Sequence, residues 1–553
     1  MAAADNVALA PHYYRDNFLA LCASVEQQYS DVLTAAEHDL LRSYRELGFD
    51  AQCLYVRLVS RVGPWFRESK LSYPELGSIA DCVDELLAAG LAEQAEGLSL
   101  AELGALFTRA ELAAAAGALL DGPAPRTKPE LLAALEQPAL DNTEHLQLAA
   151  VVDSGRIVAA AGLAEVELFQ LLFFGNRHQG LTDFVLSDLG VARYYPYSLD
   201  REQRLFPHRG AVEEYLACAA LGDSWYQLQE LGEPADLVDM AAQLASLSVE
   251  HASSESRWHR LCNSVARDME RLGEPELAAR LYSLSGRHPA RERRLRILER
   301  LEDWRGALDL AGTILASPWC EEERDAAARV LPRVQRRLGR KPMPRRRDQF
   351  TRLDLVLAPG AERVEVLAAR QLESQWAAVH YVENTLMNTL FGLAFWEQIF
   401  TAVPGAFHNP YQSVPADMYS REFQQRRRAA LERRLEELRG VDISALLRRA
   451  YQRYAGFQCR WVDWRRVDEA LLAAAVDVIP GEHLLAIWER MLFDPRENRR
   501  GFPDLVALGE ARGDYCLVEV KGPGDALQES QKRWLRFFVA TGIPAAVAWV
   551  AWE

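Results

Sequence analysis

The sequence predicts a multidomain protein in which a mostly α-helical N-terminal region is followed by a C-terminal α/β domain. The chain has 553 residues, a length that corresponds to about three to five domains. Apolar residues recur at helical spacing through much of the N-terminal part. After a stretch rich in Pro and Arg at 340–348, the pattern predicts short apolar runs and a long helical region at 368–403. The end of the chain then alternates strand and helix, which is typical of α/β domains. We therefore expect domains at 1–145, 146–345 and 346–553.

The composition is that of a globular protein. Hydrophobic residues make up 49% and charged residues 26%, which excludes a mainly disordered or fibrous chain. No apolar run reaches the roughly 20 residues of a membrane helix. Asp5 precedes every basic residue at the N-terminus, and no apolar signal segment follows. We expect a soluble cytoplasmic protein with no membrane partner.

The eight cysteines are widely spaced, and none lies within 25 residues of another. The absence of a C-x-x-C pair argues against a zinc finger or zinc ribbon. The cysteines are expected to be small buried hydrophobic residues in a reducing compartment.

Charge is divided unevenly along the chain. The net charge is −16, yet residues 1–255 carry 16 Lys and Arg against 38 Asp and Glu, whereas the remaining 298 residues carry 47 against 41. Positive charge is concentrated in clusters at 257–271, 291–296, 336–347 and 426–428. Such clusters suit a phosphate backbone. They also suit solvated helix faces paired with Glu, and the sequence leaves this alternative open.

Two N-terminal segments have the texture of small DNA-binding modules. Residues 54–98 resemble a winged helix, although a generic helical pair explains them equally well. Residues 102–137 predict a helix, a basic loop with Arg126 and Lys128, and a second helix that begins at Pro129, a favourable first position. This arrangement resembles the SAP module, so Arg126 and Lys128 are predicted DNA contacts.

Helix hairpins at 274–314 are similar to tetratricopeptide repeats.

The strongest chemical pattern lies between residues 499 and 534. Asp504 opens one strand, and Glu519 and Lys521 lie two apart in the next, so they share a face. A hairpin brings Asp504 beside Glu519, and two such carboxylates repel unless a divalent cation lies between them. Oxygen ligands favour Mg²⁺ or Mn²⁺. Lys521 is placed to orient or activate the attacking water, or to stabilise phosphate charge.

The alternative is a plain hairpin whose charged side chains face solvent. Against it, Glu519 and Lys521 interrupt an apolar strand in a chain that has only five lysines. The P-D…E-x-K spacing is typical of restriction-endonuclease-like nucleases. The following helix offers Gln531 for contact with a DNA backbone.

The segment resembles the VRR-NUC domain, and the chain as a whole resembles a bacterial member of the Fanconi-associated nuclease family. A second block, HYVENTLMNTLFGLAFWEQIF at 380–400, also matches the family pattern. The resemblance implies that Glu383 completes the metal site of Asp504 and Glu519, with Lys521 as the fourth catalytic residue. The carbonyl of Val520 is then a further metal ligand.

The resemblance also implies an activity. We expect a divalent-metal-dependent, structure-specific DNA nuclease, a 5′-flap endonuclease and 5′-to-3′ exonuclease in interstrand crosslink repair. Its partners would be branched DNA and repair proteins, at the bacterial nucleoid. The family's basic pocket for a 5′ phosphate would fall on Arg257, Arg260, His288 and Arg291. The ubiquitin-binding zinc finger of the animal members is absent, as the cysteine spacing indicates.

Two other functions compete with this hypothesis. A four-way-junction resolvase would need two sites on a symmetric dimer, and the long asymmetric N-terminal region argues against it. A non-catalytic DNA-binding scaffold would suit the helical repeats. The complete set of acidic residues and lysine argues against the scaffold.

Overall fold

The computed structural model describes residues 11–115, 124–136, 140–181, 193–342 and 347–553. These belong to two compact units, Met1–Ala192 and Arg193–Glu553. Most of the SAP-like loop and the middle of the Pro- and Arg-rich stretch lie outside the described residues.

The described residues of the first unit form helices and three short strands. Its elements are α1 (Tyr13–Tyr29), α2 (Ala35–Glu46), α3 (Phe49–Val59), β1 (Trp65–Arg67), α4 (Ile79–Ala88), β2 (Ala92–Gln94), α5 (Leu100–Leu106), α6 (Arg109–Ala115), α7 (Lys128–Glu136), α8 (Asn142–Val152), β3 (Ile157–Ala160) and α9 (Leu163–Phe174). Ser99 and Glu102 form a capping box that fixes the start of α5.

The three strands form one antiparallel sheet in the order β1-β3-β2. Together with α3 and α4, this sheet gives the winged-helix-like arrangement that the sequence predicts. Its middle strand, β3, comes from beyond the SAP-like helices, so the sheet crosses the expected domain boundary at 145. Buried Arg67 on β1 pairs with Asp153 at 2.7 Å and with Glu111 at 2.9 Å, which fixes the SAP-like helices to the sheet.

The second unit begins with helical hairpins. Its first elements are β4 (Arg193–Tyr194), α10 (Arg209–Leu231), α11 (Pro234–Leu244), α12 (Ala252–Leu272), α13 (Pro275–Ser283), α14 (Ala290–Arg300), α15 (Trp304–Ala316) and α16 (Glu321–Arg337). Each helix from α12 to α16 packs on the next one along the chain, as expected for helical repeats.

The remaining elements build an α/β domain. They are β5 (Thr351–Leu357), α17 (Val364–Leu372), β6 (Ala378–Tyr381), α18 (Thr385–Ala394), α19 (Trp396–Ile399), α20 (Arg421–Arg426), α21 (Arg428–Arg439), α22 (Ile443–Tyr454), β7 (Phe457–Gln458), α23 (Glu469–Val478), α24 (Gly481–Phe493), β8 (Leu505–Leu508), β9 (Tyr515–Lys521), α25 (Glu529–Thr541) and β10 (Ala545–Trp552). Among the described helices none is singly long and apolar enough to cross a membrane; α23 and α24 meet that test only as a pair bent by 108°.

A five-stranded mixed sheet organises this domain, in the order β5-β10-β9-β8-β6. β10 is parallel to both β5 and β9, while β8 is antiparallel to both β9 and β6. The sequence predicted a long helical region over 368–403, and this was wrong at residues 378–381. Pairing of residues 378–381 with β8 makes them an edge strand, because sheet pairing overrides local helical preference.

The apolar core packs behind the sheet and holds α18 in place. The Gly392–Phe400 block is buried in this core, and Trp396 stacks on Tyr454 with ring centroids 4.4 Å apart. A Cβ on Gly392 would come within 2.8 Å of Trp461 and Val462, so only glycine fits there. The position of α18 fixes the turn that precedes it, which carries Glu383.

Candidate metal centre

Sheet register brings the first two predicted carboxylates together. Leu505 lies opposite Val518 in the antiparallel pair of β8 and β9. One step further along the same register, Asp504 lies opposite Glu519. Directly opposed side chains in an antiparallel pair share a face and approach closely. The Val520 backbone N–H donates to Asp504 Oδ2 at 2.9 Å, which anchors this carboxylate on β9.

Glu383 reaches the same edge of the sheet through a turn after β6. Its backbone has φ 39°, in the left-handed region that residues other than glycine seldom adopt. The N–H groups of Val382 and Glu383 both donate to the Asp504 carbonyl at 2.9 Å. The turn that carries the third carboxylate is thereby bonded to the strand segment that carries the first.

Lys521 and Gln531 hold the Glu519 side chain. Lys521 Nζ lies 2.7 Å from Glu519 Oε1, and these side chains are 10% and 1% exposed. The Gln531 amide, on the first turn of α25, donates to the same oxygen at 2.5 Å. The sequence predicted Gln531 as a DNA contact, whereas the structure directs its amide to Glu519.

The electrostatics are those of crowded carboxylates. Burial raises the pKa of Asp504 to about 6, and the charges of Glu365 and Glu383 add to this rise. Burial and the neighbouring Asp504 raise the pKa of Glu519 to about 8, although Lys521 opposes that rise. Both raised pKa values indicate that the negative charge of these buried carboxylates is not fully compensated by neighbouring positive charge.

The residues present suit a hard divalent cation. Glu519 Oε2 is buried and has no hydrogen-bond partner among the described residues. A buried, unpaired carboxylate oxygen is costly unless an ion binds it. The side chains of Glu383, Asp504 and Glu519 offer oxygen ligands only, which is the preference of Mg²⁺ and Mn²⁺.

Sequence reasoning missed two neighbours of Glu383. The Tyr381 hydroxyl donates to Glu383 Oε2 at 2.8 Å, and the Asn384 amide donates to Oε1 at 3.2 Å. Asn384 also accepts a bond from the Phe502 N–H at 3.1 Å, next to the Pro503-Asp504 pair. Tyr381 and Asn384 are close to Glu383 in the sequence, and this closeness could have drawn attention to them. Only the folded turn shows that they hold the carboxylate.

The predicted DNA contacts have different surroundings. Arg260 is exposed, while Arg257 lies over the Tyr215 ring at 4.7 Å. Arg291 binds buried Glu323 and lies over Trp319 at 3.9 Å. In the first unit, Arg126 is exposed and Lys128 is half-buried at the start of α7.

His288 lines a cleft in the second unit. Arg287, Arg421 and Arg496 line the same cleft, as do Glu322, Glu422, Asp494 and Glu497. Arg421 lies over the Trp319 ring at 5.2 Å. The lining therefore combines cations and carboxylates, and it includes arginines that the sequence analysis did not name.

The mixed sheet and its Asp, Glu and Lys set define a nuclease of the restriction-endonuclease-like class. The VRR-NUC domain family matches residues 441–552, and the FAN1 HTH domain family matches residues 12–93, in agreement with the winged-helix-like segment. A Fanconi-associated nuclease 1 homolog of Pseudomonas aeruginosa is 38% identical over 549 residues, which span 98% of this chain and 96% of that protein. The chain belongs to the Fanconi-associated nuclease family.

Further similarities agree with this assignment. A Fanconi-associated nuclease 1 homolog of Arabidopsis thaliana is 27% identical, and the match spans 96% of this chain and 66% of the plant protein. The crystal structure of paFAN1 bound to 2-nt 5′-flap DNA with a gap has a TM-score of 0.81 at 37% identity, with 99% of each chain covered. A nuclease domain of this kind requires a divalent metal.

Proposed function

We propose that this nuclease cuts 5′-flap DNA near the junction, continues as a 5′-to-3′ exonuclease and acts in interstrand crosslink repair. The similarity to paFAN1 supports this substrate, because that protein was crystallised on 5′-flap DNA and matches this chain over almost its full length. The opposed Asp504 and Glu519 carboxylates, with Lys521 beside Glu519, would supply the chemistry of phosphodiester hydrolysis. The protein would act in the bacterial cytoplasm on nucleoid DNA, with repair proteins as further partners.

In this proposal, Glu383, Asp504 and Glu519 hold Mg²⁺ or Mn²⁺, with the Val520 carbonyl as a further ligand. The bound ion supplies Lewis-acid chemistry and lowers the pKa of a bound water. The unpaired Glu519 oxygen and the oxygen-only set support this assignment.

Lys521 has two roles in this proposal, one at Glu519 and one at the scissile phosphate. Its ammonium fixes one oxygen of Glu519, so the other stays turned away from that contact. The same buried positive charge would stabilise the negative charge that develops on the scissile phosphate, and low solvent exposure strengthens that effect. Lys521 is thus the proposed fourth catalytic residue beside Glu383, Asp504 and Glu519.

DNA would be held through its backbone and read by shape rather than sequence. The proposed contacts are Arg126, Lys128, Arg257, Arg260, His288 and Arg291. For Arg291, contact with DNA would require its ion pair with Glu323 to open.

The test is cleavage of a labelled 5′-flap duplex with Mg²⁺, with Mn²⁺ and with chelator. We expect incision near the junction that needs metal and is lost in Glu519→Gln. The matched control is Glu510→Gln, which makes the same change at an exposed residue of the β8–β9 turn and should cut at the wild-type rate.

Other results would replace the proposal. Cleavage of four-way junctions alone would indicate a resolvase, and tight flap binding without cleavage would indicate a scaffold. Undiminished cutting by Glu519→Gln would refute the assigned site.

A further inference from the structure

A second group of potential metal ligands lies apart in sequence from the carboxylates of the nuclease centre. His288 belongs to the loop between α13 and α14, whereas Cys320 and Glu322 lie at the start of α16. One ligand atom from each of the three side chains lies within 4.8 Å of the other two. His288 Nε2 is 3.0 Å from Glu322 Oε2.

The backbone around these residues is held firmly. The carbonyls of Arg287 and His288 both accept a hydrogen bond from Asn263 on α12 at 3.3 Å. On the other side, buried Glu323 follows Glu322 and binds Arg291 of α14. The two segments that carry the ligands are therefore bonded to each other, so the three side chains would need little rearrangement to bind an ion.

The His288 imidazole lies beside both the Cys320 thiol and the Glu322 carboxylate. His288 Nδ1 is buried and has no hydrogen-bond partner among the described residues. Cys320 occupies the N-cap position of α16, but its side chain makes no capping bond. Cysteine binds metal ions through its sulfur as the thiolate.

The chemistry of the set selects the ion. One imidazole nitrogen, one thiolate sulfur and one carboxylate oxygen form a borderline-soft set that suits Zn²⁺. The nuclease centre, by contrast, offers oxygen only. We propose that His288, Cys320 and Glu322 bind a Zn²⁺ ion, a site separate from the catalytic metal. In the zinc-bound protein His288 would bind the ion in place of a DNA phosphate. Three protein ligands leave a fourth position for water or a ligand from the cleft.

Cobalt is the probe that separates the two sites. Co²⁺ bound to a thiolate has an intense charge-transfer band in the near ultraviolet, and Co²⁺ bound by oxygen ligands does not. The full chain, stripped with chelator, would be titrated with Co²⁺ and followed by absorption. We expect one equivalent to produce this band, and Zn²⁺ to abolish it by displacement. Asp504→Ala, which removes a proposed catalytic ligand, should keep the band.

The variants assign the thiolate. Cys320→Ser should lose the band, while Cys516→Ser, the matched control at the other partly exposed cysteine, should keep it. Glu322→Gln should weaken Co²⁺ binding by about tenfold or more. Circular dichroism would establish that each variant is folded, and zinc content after dialysis against Zn²⁺ gives a second readout, with one equivalent less in Cys320→Ser.

The proposal fails if the wild-type protein gives no charge-transfer band, or if the band survives in Cys320→Ser. It also fails if Cys516→Ser removes the band, because the thiolate would then lie elsewhere. None of these readouts depends on flap cleavage, so the zinc site and the proposed nuclease function can fail separately.

Discussion

The Lys521 ammonium lies 2.7 Å from Glu519 Oε1, and both side chains are almost completely buried. This pair carries a positive charge into a site that is built to attract a cation. With a metal bound as proposed, Lys521 would compete electrostatically with the ion while it neutralises part of the carboxylate charge. The balance between these two effects leads to the first prediction.

We predict that Lys521→Met lowers the rate of flap cleavage by about 100-fold or more, because an electrostatic contact to the reacting phosphate is lost. It should not weaken Mn²⁺ binding, since a competing positive charge has been removed. Single-turnover kinetics and Mn²⁺ titration measure the two effects separately. The control is Lys70→Met at an exposed position of the first unit. Weaker metal binding in Lys521→Met would mean that Lys521 acts by shaping the metal site.

The raised pKa of Glu519 predicts that the stability of the metal-free protein depends on pH. Its pKa is raised from 4.5 to about 8 in the folded state. The folded state thus binds the proton more tightly than the unfolded state, and the free energy of unfolding falls as pH rises from about 4.5 to about 8. Glu519→Gln lacks this proton, so its melting temperature in chelator should exceed that of the wild type increasingly over this interval. The prediction would be contradicted if the difference in melting temperature between Glu519→Gln and the wild type were the same at pH 5 and at pH 8.5.

Variants of Gln531 distinguish between two roles for this residue, positioning of Glu519 and contact with DNA. Its amide donates to Glu519 Oε1, so Gln531→Ala should lower the cleavage rate by about tenfold and leave flap affinity unchanged. Gln531→Glu should be more damaging, because it places a carboxylate against Glu519. Binding by fluorescence anisotropy and cleavage under single-turnover conditions give the two quantities. A loss of affinity at an unchanged rate would restore the DNA-contact interpretation.

Two predicted DNA contacts should behave differently. Arg260 is exposed, so Arg260→Ala should reduce the slope of log affinity against log salt by about 0.9, as for one lost phosphate contact. Arg291 pairs with Glu323, which is fully buried. Arg291→Ala should therefore lower the free energy of unfolding by about 3–5 kcal/mol.

Flap-binding isotherms at several salt concentrations and urea unfolding would measure the effects of these two arginine variants. A stable Arg291→Ala variant with a reduced salt slope would show that this side chain leaves Glu323 for DNA. An unchanged slope in Arg260→Ala would remove Arg260 from the interface.

Local patterns predicted the centre of the site. Asp504, Glu519 and Lys521 follow from a period of two and a turn between them, so the hairpin fixes their geometry. Glu383 is far away in sequence, and only the family resemblance placed it there. The edge strand β6 was missed because pairing with β8, which no local pattern encodes, makes it a strand. Strand β3 was missed for a similar reason, since it pairs with β1 and β2. The Gln531–Glu519 bond depends on side-chain positions that no sequence pattern gives.

The left-handed backbone of Glu383 is strained for a residue that has a side chain. A non-glycine residue in that region costs about 1–3 kcal/mol, and glycine would adopt φ 39° with less penalty. Selection for thermal robustness alone would favour glycine, and the exchange would remove the carboxylate. Under the proposed metal assignment, a Glu383→Gly variant would gain heat resistance and lose activity, so stabilisation of this domain should leave the turn unchanged.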